Sequence, residues 1–203
     1  MSNYFDKYKV NVPEGTSGKW KVERFTVPEH DVQALMYALN GGRPIPPGTY
    51  TRLIREKAFD PMMSDTPAEV QDHLEFIGIA RGRCLLNGLG LGMVLKAIAA
   101  KPEVTHIDVV EKERDVINLV WPTYQDGDRI TLHHADAYTI EWPQGTTWDC
   151  AWHDIWGELC TDNLSEIAKL KRKYARKVGW QKAWVEDWLR SEKRREQRSY
   201  YGL

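Results

Sequence analysis

The chain has 203 residues, of which 42% are hydrophobic and 28% are charged, and its formal net charge is −1. This composition is ordinary for a globular protein, and the length suffices for one full core with a small addition. The near-zero net charge gives no overall electrostatic case for binding nucleic acid or a membrane surface.

The three cysteines, Cys84, Cys150 and Cys160, have no pairing or metal-ligand spacing, and the six histidines have none either. We therefore expect reduced thiols and no metal site. The first residues lack the apolar stretch of a signal peptide, and no segment approaches membrane-spanning length. These features predict a cytoplasmic protein without membrane association.

The first 60 residues mix two patterns and predict a small α+β cap. Alternating apolar residues on either side of a Pro-Glu-Gly-Thr-Ser-Gly turn indicate a β-hairpin, and Val32, Leu35, Met36 and Leu39 recur at helical spacing before two glycines. The predicted elements are strands over 8–12, 19–27 and 49–54 and a helix over 32–39.

Residues 61–203 alternate between helical and strand patterns, which is typical of a doubly wound α/β sheet. The predicted helices cover 67–80, 91–100, 113–121, 162–176 and 182–198, and the predicted strands cover 84–88, 105–110, 129–134, 149–153 and 177–181. We expect a Rossmann-like, mostly parallel sheet that forms the cofactor-binding core, followed by C-terminal helices.

Glycines recur at alternate positions, Gly88, Gly90 and Gly92, directly after the apolar strand that begins at Cys84. Glycine at such a strand-to-helix turn permits a tight bend, a close approach of the backbone to a ligand and close packing of the helix. A second strand ends in Glu111, where a carboxylate can bind both ribose hydroxyls of a nucleoside-containing cofactor.

The spacing of these glycines indicates which cofactor binds. Dinucleotide-binding turns read G-x-G-x-x-G, but here the third glycine is one position early, and no basic residue follows until Lys96. A cofactor with ribose and adenine but no phosphate suits this turn. S-adenosylmethionine, with S-adenosylhomocysteine as its product, is such a cofactor.

Four motifs in order resemble the core of class I S-adenosylmethionine-dependent methyltransferases, specifically the spermidine-synthase-like branch. They are Leu-Leu-Asn-Gly-Leu-Gly-Leu-Gly-Met-Val-Leu (85–95), Val-Val-Glu-Lys-Glu-Arg-Asp-Val-Ile (109–117), Arg-Ile-Thr-Leu-His-His-Ala-Asp-Ala (129–137) and Trp-Asp-Cys-Ala-Trp-His-Asp-Ile-Trp (148–156). Residues 62–69 match more weakly. The family usually ends with further strands, so either this sheet is truncated to about five strands or the N-terminal segment supplies the missing edge.

The resemblance implies that Glu111 binds the ribose and that Asp136 accepts a hydrogen bond from the adenine amino group. An exposed strand-end acid is the alternative for Glu111, and a helix cap is the alternative for Asp136. The full set of expected cofactor-binding residues is Asn87, Gly88, Leu89, Gly90, Gly92, Glu111, Lys112, Asp136 and Ala137.

Asp154 ends the fourth predicted core strand, at the edge where open α/β sheets bind ligands. The resemblance implies an acid here that deprotonates an attacking amine, so we expect Asp154 to be catalytic. In that branch the next residues are a second Asp, which helps to bind the polyamine substrate, and a Pro. This chain has Ile155-Trp156-Gly157-Glu158 instead, so the second acid is missing. Successive strand residues point to opposite faces, and His153 is either a buried structural residue or part of the site.

Asp65, Glu69 and Trp156 are further candidates for the substrate site or its lid. In the related enzymes, acids that precede the first core strand lie over the active site. A helix-capping role explains Asp65 and Glu69 nearly as well, and packing is the alternative for Trp156.

The C-terminal segment contains a tryptophan repeat and many basic residues. Trp180, Trp184 and Trp188 recur every four residues, which predicts a stripe that packs in the core or between the subunits of a homodimer. Residues 169–198 hold twelve Lys or Arg against four Asp or Glu. Because the remainder is acidic, we expect a solvated basic face rather than a nucleic-acid site.

The sequence as a whole predicts a methyltransferase that acts on an unidentified acceptor, a small molecule or an amine. One alternative is an aminopropyltransferase that uses decarboxylated S-adenosylmethionine, against which the missing second acid argues. The other alternative is a non-catalytic module that only binds S-adenosylmethionine.

Overall fold

A computed structural model of the chain describes residues 4–30, 32, 36, 39–40, 43–56, 62–125, 127–158 and 160–200. Its N-terminal part forms a four-stranded antiparallel sheet, with the strands in chain order across the sheet. These strands are β1 (Gly15–Ser17), β2 (Trp20–Val27), β3 (Gly48–Arg55) and β4 (Met63–Ser64).

The N-terminal hairpin is present, but its first strand is not the predicted one. Residues 8–12 are not a strand; β1 lies instead within the stretch predicted as the turn. Val10 and Val12 are nonetheless buried, so their alternating pattern reflects burial against the core rather than strand pairing. The predicted helix over 32–39 falls mostly outside the described residues.

The rest of the chain folds as a five-stranded parallel sheet with helices on both faces. The elements are α1 (Pro67–Ile79), β5 (Gly82–Asn87), α2 (Met93–Ala99), β6 (Val104–Glu111), α3 (Arg114–Val120), β7 (Ile130–His134), β8 (Trp148–His153), α4 (Asn163–Tyr174), β9 (Val178–Ala183) and α5 (Glu186–Tyr200).

The strand order of this sheet is β7-β6-β5-β8-β9. This order reverses direction between β5 and β8, which is the topological switch point of a Rossmann-like fold, and the predicted fold class is confirmed. The N-terminal sheet is separate from the parallel sheet. Of the two arrangements that the sequence left open, the described residues show the first, a parallel sheet of five strands.

Alternating side chains along β5 divide the core between the two faces of the sheet. Leu86 and Cys84 pack in the cluster that also contains α1, α2 and α3 residues, whereas Leu85 packs in a second cluster with Leu170 and Tyr174 of α4. Because the last four residues of β5 are all buried, this part of the strand is covered on both faces.

The N-terminal sheet shares the first of these clusters, to which Trp20 and Leu53 belong. It also contacts α3, where Ser17 Oγ donates a hydrogen bond of 2.8 Å to Asp115. The cap therefore packs directly on the Rossmann-like core. No helix within the described part of the chain is both long and apolar enough to cross a membrane.

The three C-terminal tryptophans do not form one helical stripe. Trp180 belongs to β9, Trp184 lies in the connection to α5, and Trp188 lies on α5 and is 49% exposed. The predicted helix start at 182 is wrong because β9 continues to residue 183 and the backbone then turns at Val185, whose φ is 48°. The prediction of a homodimer rested on that stripe, so the structure no longer gives this reason for it.

Candidate active site

Gly88 lies where three strands of the parallel sheet end. Its φ of 106° is in the left-handed region, and a Cβ atom there would lie 2.0 Å from the backbone oxygen of Asp154, which follows β8. Its N–H donates a hydrogen bond of 2.8 Å to the carbonyl of Val110 on β6. Glycine at this position therefore allows the turn after β5 to lie against both neighbouring strand ends.

The other two glycines of the turn also have positive φ, but their neighbours differ from those expected. A Cβ atom on Gly90 would lie 2.4 Å from Met63 Sδ, and one on Gly92 would lie 2.2 Å from the ring of Tyr124. The Leu91 N–H donates to the same Met63 sulfur at 3.2 Å. Met63 thus occupies the space that the sequence analysis assigned to a ligand at Gly90.

Glu111 ends β6 and ties the turn after β5 to the neighbouring strand. Its Oε2 accepts a hydrogen bond of 2.9 Å from the Leu89 N–H, and its Oε1 accepts one of 2.8 Å from the Glu113 N–H. Burial raises the pKa of Glu111, although these backbone hydrogen bonds act in the opposite direction. A carboxylate has about four acceptor sites, so acceptor capacity remains for a ligand hydroxyl group. The side chain of the next residue, Lys112, is exposed.

Asp136 and Ala137 follow β7 at the same edge of the sheet. Asp136 Oδ1 accepts a hydrogen bond of 2.7 Å from the Tyr138 N–H and closes a turn. No helix begins there, so the helix-cap alternative for Asp136 is wrong. The carbonyl of Ala137 accepts hydrogen bonds from Lys173 Nζ at 3.1 Å and from Tyr174 Oη at 3.2 Å, which fixes this loop against α4.

His153 and Asp154 place their side chains on different sides of the sheet. The ring of His153 is fully buried and lies 2.7 Å from Asn87 Nδ2 and 3.0 Å from Gln181 Oε1. Burial lowers the pKa of His153 to about 4, so the ring is neutral. Asn87, an expected cofactor-binding residue, uses its buried side chain for this contact, and only its backbone adjoins the glycine turn.

The Asp154 side chain faces α1, where the acids Glu69 and Asp72 lie within electrostatic range of it. Burial, followed by the charges of Asp72 and Glu111, raises the pKa of Asp154 to about 7. Burial likewise raises the pKa of Glu69 to about 8, with the charge of Asp154 as the second cause. We refer to Glu69, Asp72, Glu111 and Asp154 as the acidic cluster.

The acidic cluster has little cationic compensation. Among the described residues, no Lys or Arg forms an ion pair with Glu69 or Asp154. Arg43 lowers the pKa of Glu69, but its guanidinium is paired with Asp72 at 2.7 Å. Glu69 and Asp154 are half-buried, so their ionised forms are costly without a cationic partner, and a positively charged ligand would relieve that cost.

Two other candidates lie outside the acidic cluster. Asp65 accepts hydrogen bonds from the Val10 N–H at 3.0 Å and the Thr51 N–H at 2.7 Å, so its two carboxylate oxygens bind the N-terminal segment and β3. It is not a side-chain cap of α1. Trp156 donates from Nε1 to Glu166 on α4 at 2.9 Å and therefore faces away from α1.

His73 is a site residue that the sequence analysis missed. It lies on α1 one turn after Glu69, it is fully buried, and its Nε2 is 3.9 Å from Asp154 Oδ2. The spacing of four residues between Glu69 and His73 places both on one helix face and could have revealed the pair. Nothing else in the sequence indicates that this single histidine in a helix belongs to the site.

A cavity of about 170 Å³ adjoins the acidic cluster at the ends of β8 and β9. Its lining includes Asp72, Trp152, Lys182, Val185 and Trp188. Within the described ranges, no three His, Cys, Asp or Glu side chains are grouped so as to hold a metal ion.

No protein-family model and no curated protein matches this chain. Several solved structures match about half of it. The N-methyltransferase NodS from Bradyrhizobium japonicum is 13% identical over 55% of this chain and 63% of its own, with a TM-score of 0.44. The YcgJ protein from Bacillus subtilis is 17% identical over 54% of this chain and 46% of its own, with a TM-score of 0.42.

A third match is the precorrin 8w decarboxylase from Methanobacterium thermoautotrophicum. It is 18% identical over 56% of this chain and 61% of its own, with a TM-score of 0.42. The chain thus spans less than two thirds of the length of each of these three proteins. At such identities and scores, nothing about activity follows from the likeness.

Proposed function

We propose that the chain is an S-adenosylmethionine-dependent methyltransferase that acts on a small-molecule acceptor. The observation that carries this proposal is the acidic cluster beside the glycine turn, because it gathers carboxyl groups with raised pKa values at the ligand-binding edge of a Rossmann-like sheet, where a cation would favour their ionised forms. S-adenosylmethionine supplies a methyl group on a positively charged sulfur, and such a cation complements the cluster.

The cofactor-binding residues that we propose are those of the turn and the two adjacent strand ends. Glu111 would bind the ribose hydroxyls with its remaining acceptor sites, and Asp136 with Ala137 would border the adenine. Gly88, Leu89, Gly90 and Gly92 supply the backbone of the turn, and Lys112 lies at its outer edge. Because the Met63 thioether covers Gly90, we infer that Met63 forms part of the cofactor pocket wall.

Asp154 is the residue that we propose accepts a proton from the acceptor. An amine must lose a proton before or during attack, and a positioned carboxylate is a suitable base. The raised pKa of Asp154, about 7, matches that of an effective base at neutral pH. Glu69 is close enough to act on Asp154 electrostatically, and it would help hold a cationic amine.

The spermidine-synthase-like branch remains part of this proposal on the four sequence motifs. The chemistry differs from that of the branch because the second acid after Asp154 is absent and Ile155 stands next in the chain. We therefore place methyl transfer ahead of aminopropyl transfer and ahead of cofactor binding without catalysis.

A product assay with amine acceptors tests the proposal. We expect S-adenosylhomocysteine from S-adenosylmethionine, and we expect Asp154→Asn to lower turnover by roughly 10²–10⁴-fold while S-adenosylhomocysteine affinity stays within about threefold. His153→Gln is the matched control and should lower the thermal midpoint rather than turnover. Methylthioadenosine from decarboxylated S-adenosylmethionine would identify an aminopropyltransferase. Full turnover in Asp154→Asn would remove the proposed base.

A further inference from the structure

His73 is fully buried on α1, and neither nitrogen of its ring has a hydrogen-bond partner. Buried polar groups are nearly always paired, and an unpaired one calls for an explanation. The ring is held edge-on against Trp152, with centroids 5.7 Å apart, and Trp152 is itself stacked on Phe76 at 5.4 Å. Aromatic packing therefore holds the imidazole in place while both of its ring nitrogens lack a hydrogen-bond partner.

The nearest acidic oxygen to this ring belongs to Asp154. His73 Nε2 and Asp154 Oδ2 are 3.9 Å apart, which is about 1 Å longer than a hydrogen bond. Among the described residues, no side chain donates a hydrogen bond to the Asp154 carboxylate. A small closure between α1 and the end of β8 would satisfy both groups at once.

We propose that His73 is the positioning residue of the site: its Nε2–H turns toward Asp154 and holds that carboxylate ionised and oriented toward the acceptor. This inference rests on the proposed function and adds the residue that sets the pH range of the reaction. The imidazole stays neutral, because burial lowers the pKa of His73 to about 3. It therefore acts as a hydrogen-bond donor and not as a second base.

The groups around Asp154 explain why it needs such a donor. Asp72 on α1 and Glu111 on β6 each raise the pKa of Asp154 and so favour its protonated form, and Asp154 in turn raises the pKa of Glu69 on α1. Arg43 acts on Glu69 and His73 but is paired with Asp72. His73 is thus the neutral donor within reach that favours the ionised form of Asp154.

The pH profile of methyl transfer tests the role of His73. His73→Phe keeps a packed ring but removes the donor, so the acid limb of kcat/KM should move up by about one to two pH units. His73→Gln keeps a donor and should move the limb back toward that of the unchanged protein. His106→Gln, at a histidine beside Asp108 and away from the acidic cluster, is the control. An acid limb unmoved in His73→Phe would overturn the proposal.

A second measurement does not depend on activity. Histidine side-chain ¹⁵N NMR of the unchanged protein at pH 8 should show the Nε2–H tautomer for His73, with the signal assigned by its loss in His73→Phe or His73→Gln. A proton on Nδ1, or an imidazolium, would contradict the proposal. Calorimetry with S-adenosylhomocysteine on the same sample tests the proposed function separately, so failure of one is distinguishable from failure of the other.

Discussion

Three strands of the parallel sheet, β6, β5 and β8, end side by side. Each of them places one residue of the candidate site at this edge. β6 ends in Glu111, β5 leads into Gly88, and β8 is followed by Asp154. On one side the backbone of the glycine turn is hydrogen-bonded to Val110, and on the other side it lies against the backbone of Asp154. The carboxylates are therefore held by backbone that cannot shift independently of the sheet.

The stability of the folded chain should depend on the acidic cluster in a defined pH window. The folded chain keeps protons on Asp154 and Glu69 up to pKa values of about 7 and about 8, where the unfolded chain has lost them. The free energy of unfolding then decreases as the pH rises through these two pKa values. The lowered pKa values of His73 and His153 act in the opposite direction, but only below about 6.5, so the window is about pH 6.5 to 8.

We predict that the thermal midpoint of the protein without ligand is lower at pH 8 than at pH 6.5. Glu69→Gln should remove the larger part of this decrease, because its carboxyl has the higher pKa of the pair. Glu103→Gln, at an acid that is half exposed beside Lys101, should keep the decrease and serves as the control. Thermal melts at the two pH values measure the effect, and an unchanged decrease in Glu69→Gln would contradict it.

The helices and strands of the core could be predicted from the sequence because their patterns are strong and local. β5, β6 and β8 are apolar runs bounded by turn residues, and each was predicted to within about three residues. The sequence did not predict β1. Apolar residues alternate over 8–12, and this pattern occurs both in a strand that pairs with another strand and in a segment that only packs on the core. The start of α5 was missed because Val185 adopts a backbone conformation that its side chain does not suggest.

α5 ends in an exposed basic segment whose role can be tested by truncation. Residues 193–198 are exposed, and Glu196 accepts a long hydrogen bond, of 3.3 Å, from Thr161. Leu189, by contrast, is buried and must be retained.

We predict that ending the chain after Glu192 changes the free energy of unfolding by no more than about 0.5 kcal/mol and leaves cofactor affinity unchanged. Denaturant titration and calorimetry measure the two quantities. A gel shift of DNA or RNA by the full chain, steeply dependent on salt and lost on truncation, would show that the segment binds nucleic acid.

At the scale of the whole molecule, the sequence could predict which edge of the sheet binds ligands but not what covers it. The order of elements fixes the switch point between β5 and β8, and the glycines mark it. Met63 over Gly90 and His73 beside Asp154 come from elements outside the four motifs, and only the folded chain brings them there. The roles assigned to Glu111, Asp136 and Asp154 stay predictions.

The most direct test of the account is calorimetry of the purified protein with S-adenosylhomocysteine and, separately, with NAD. We predict binding of S-adenosylhomocysteine and none of NAD. Glu111→Ala should weaken binding at least about tenfold, because hydrogen bonds to a charged group contribute about 1.5–3 kcal/mol each. Glu111→Gln should lose less, and Glu103→Ala, before the start of the same strand, should lose nothing. Binding of NAD with no response to S-adenosylhomocysteine would contradict the account.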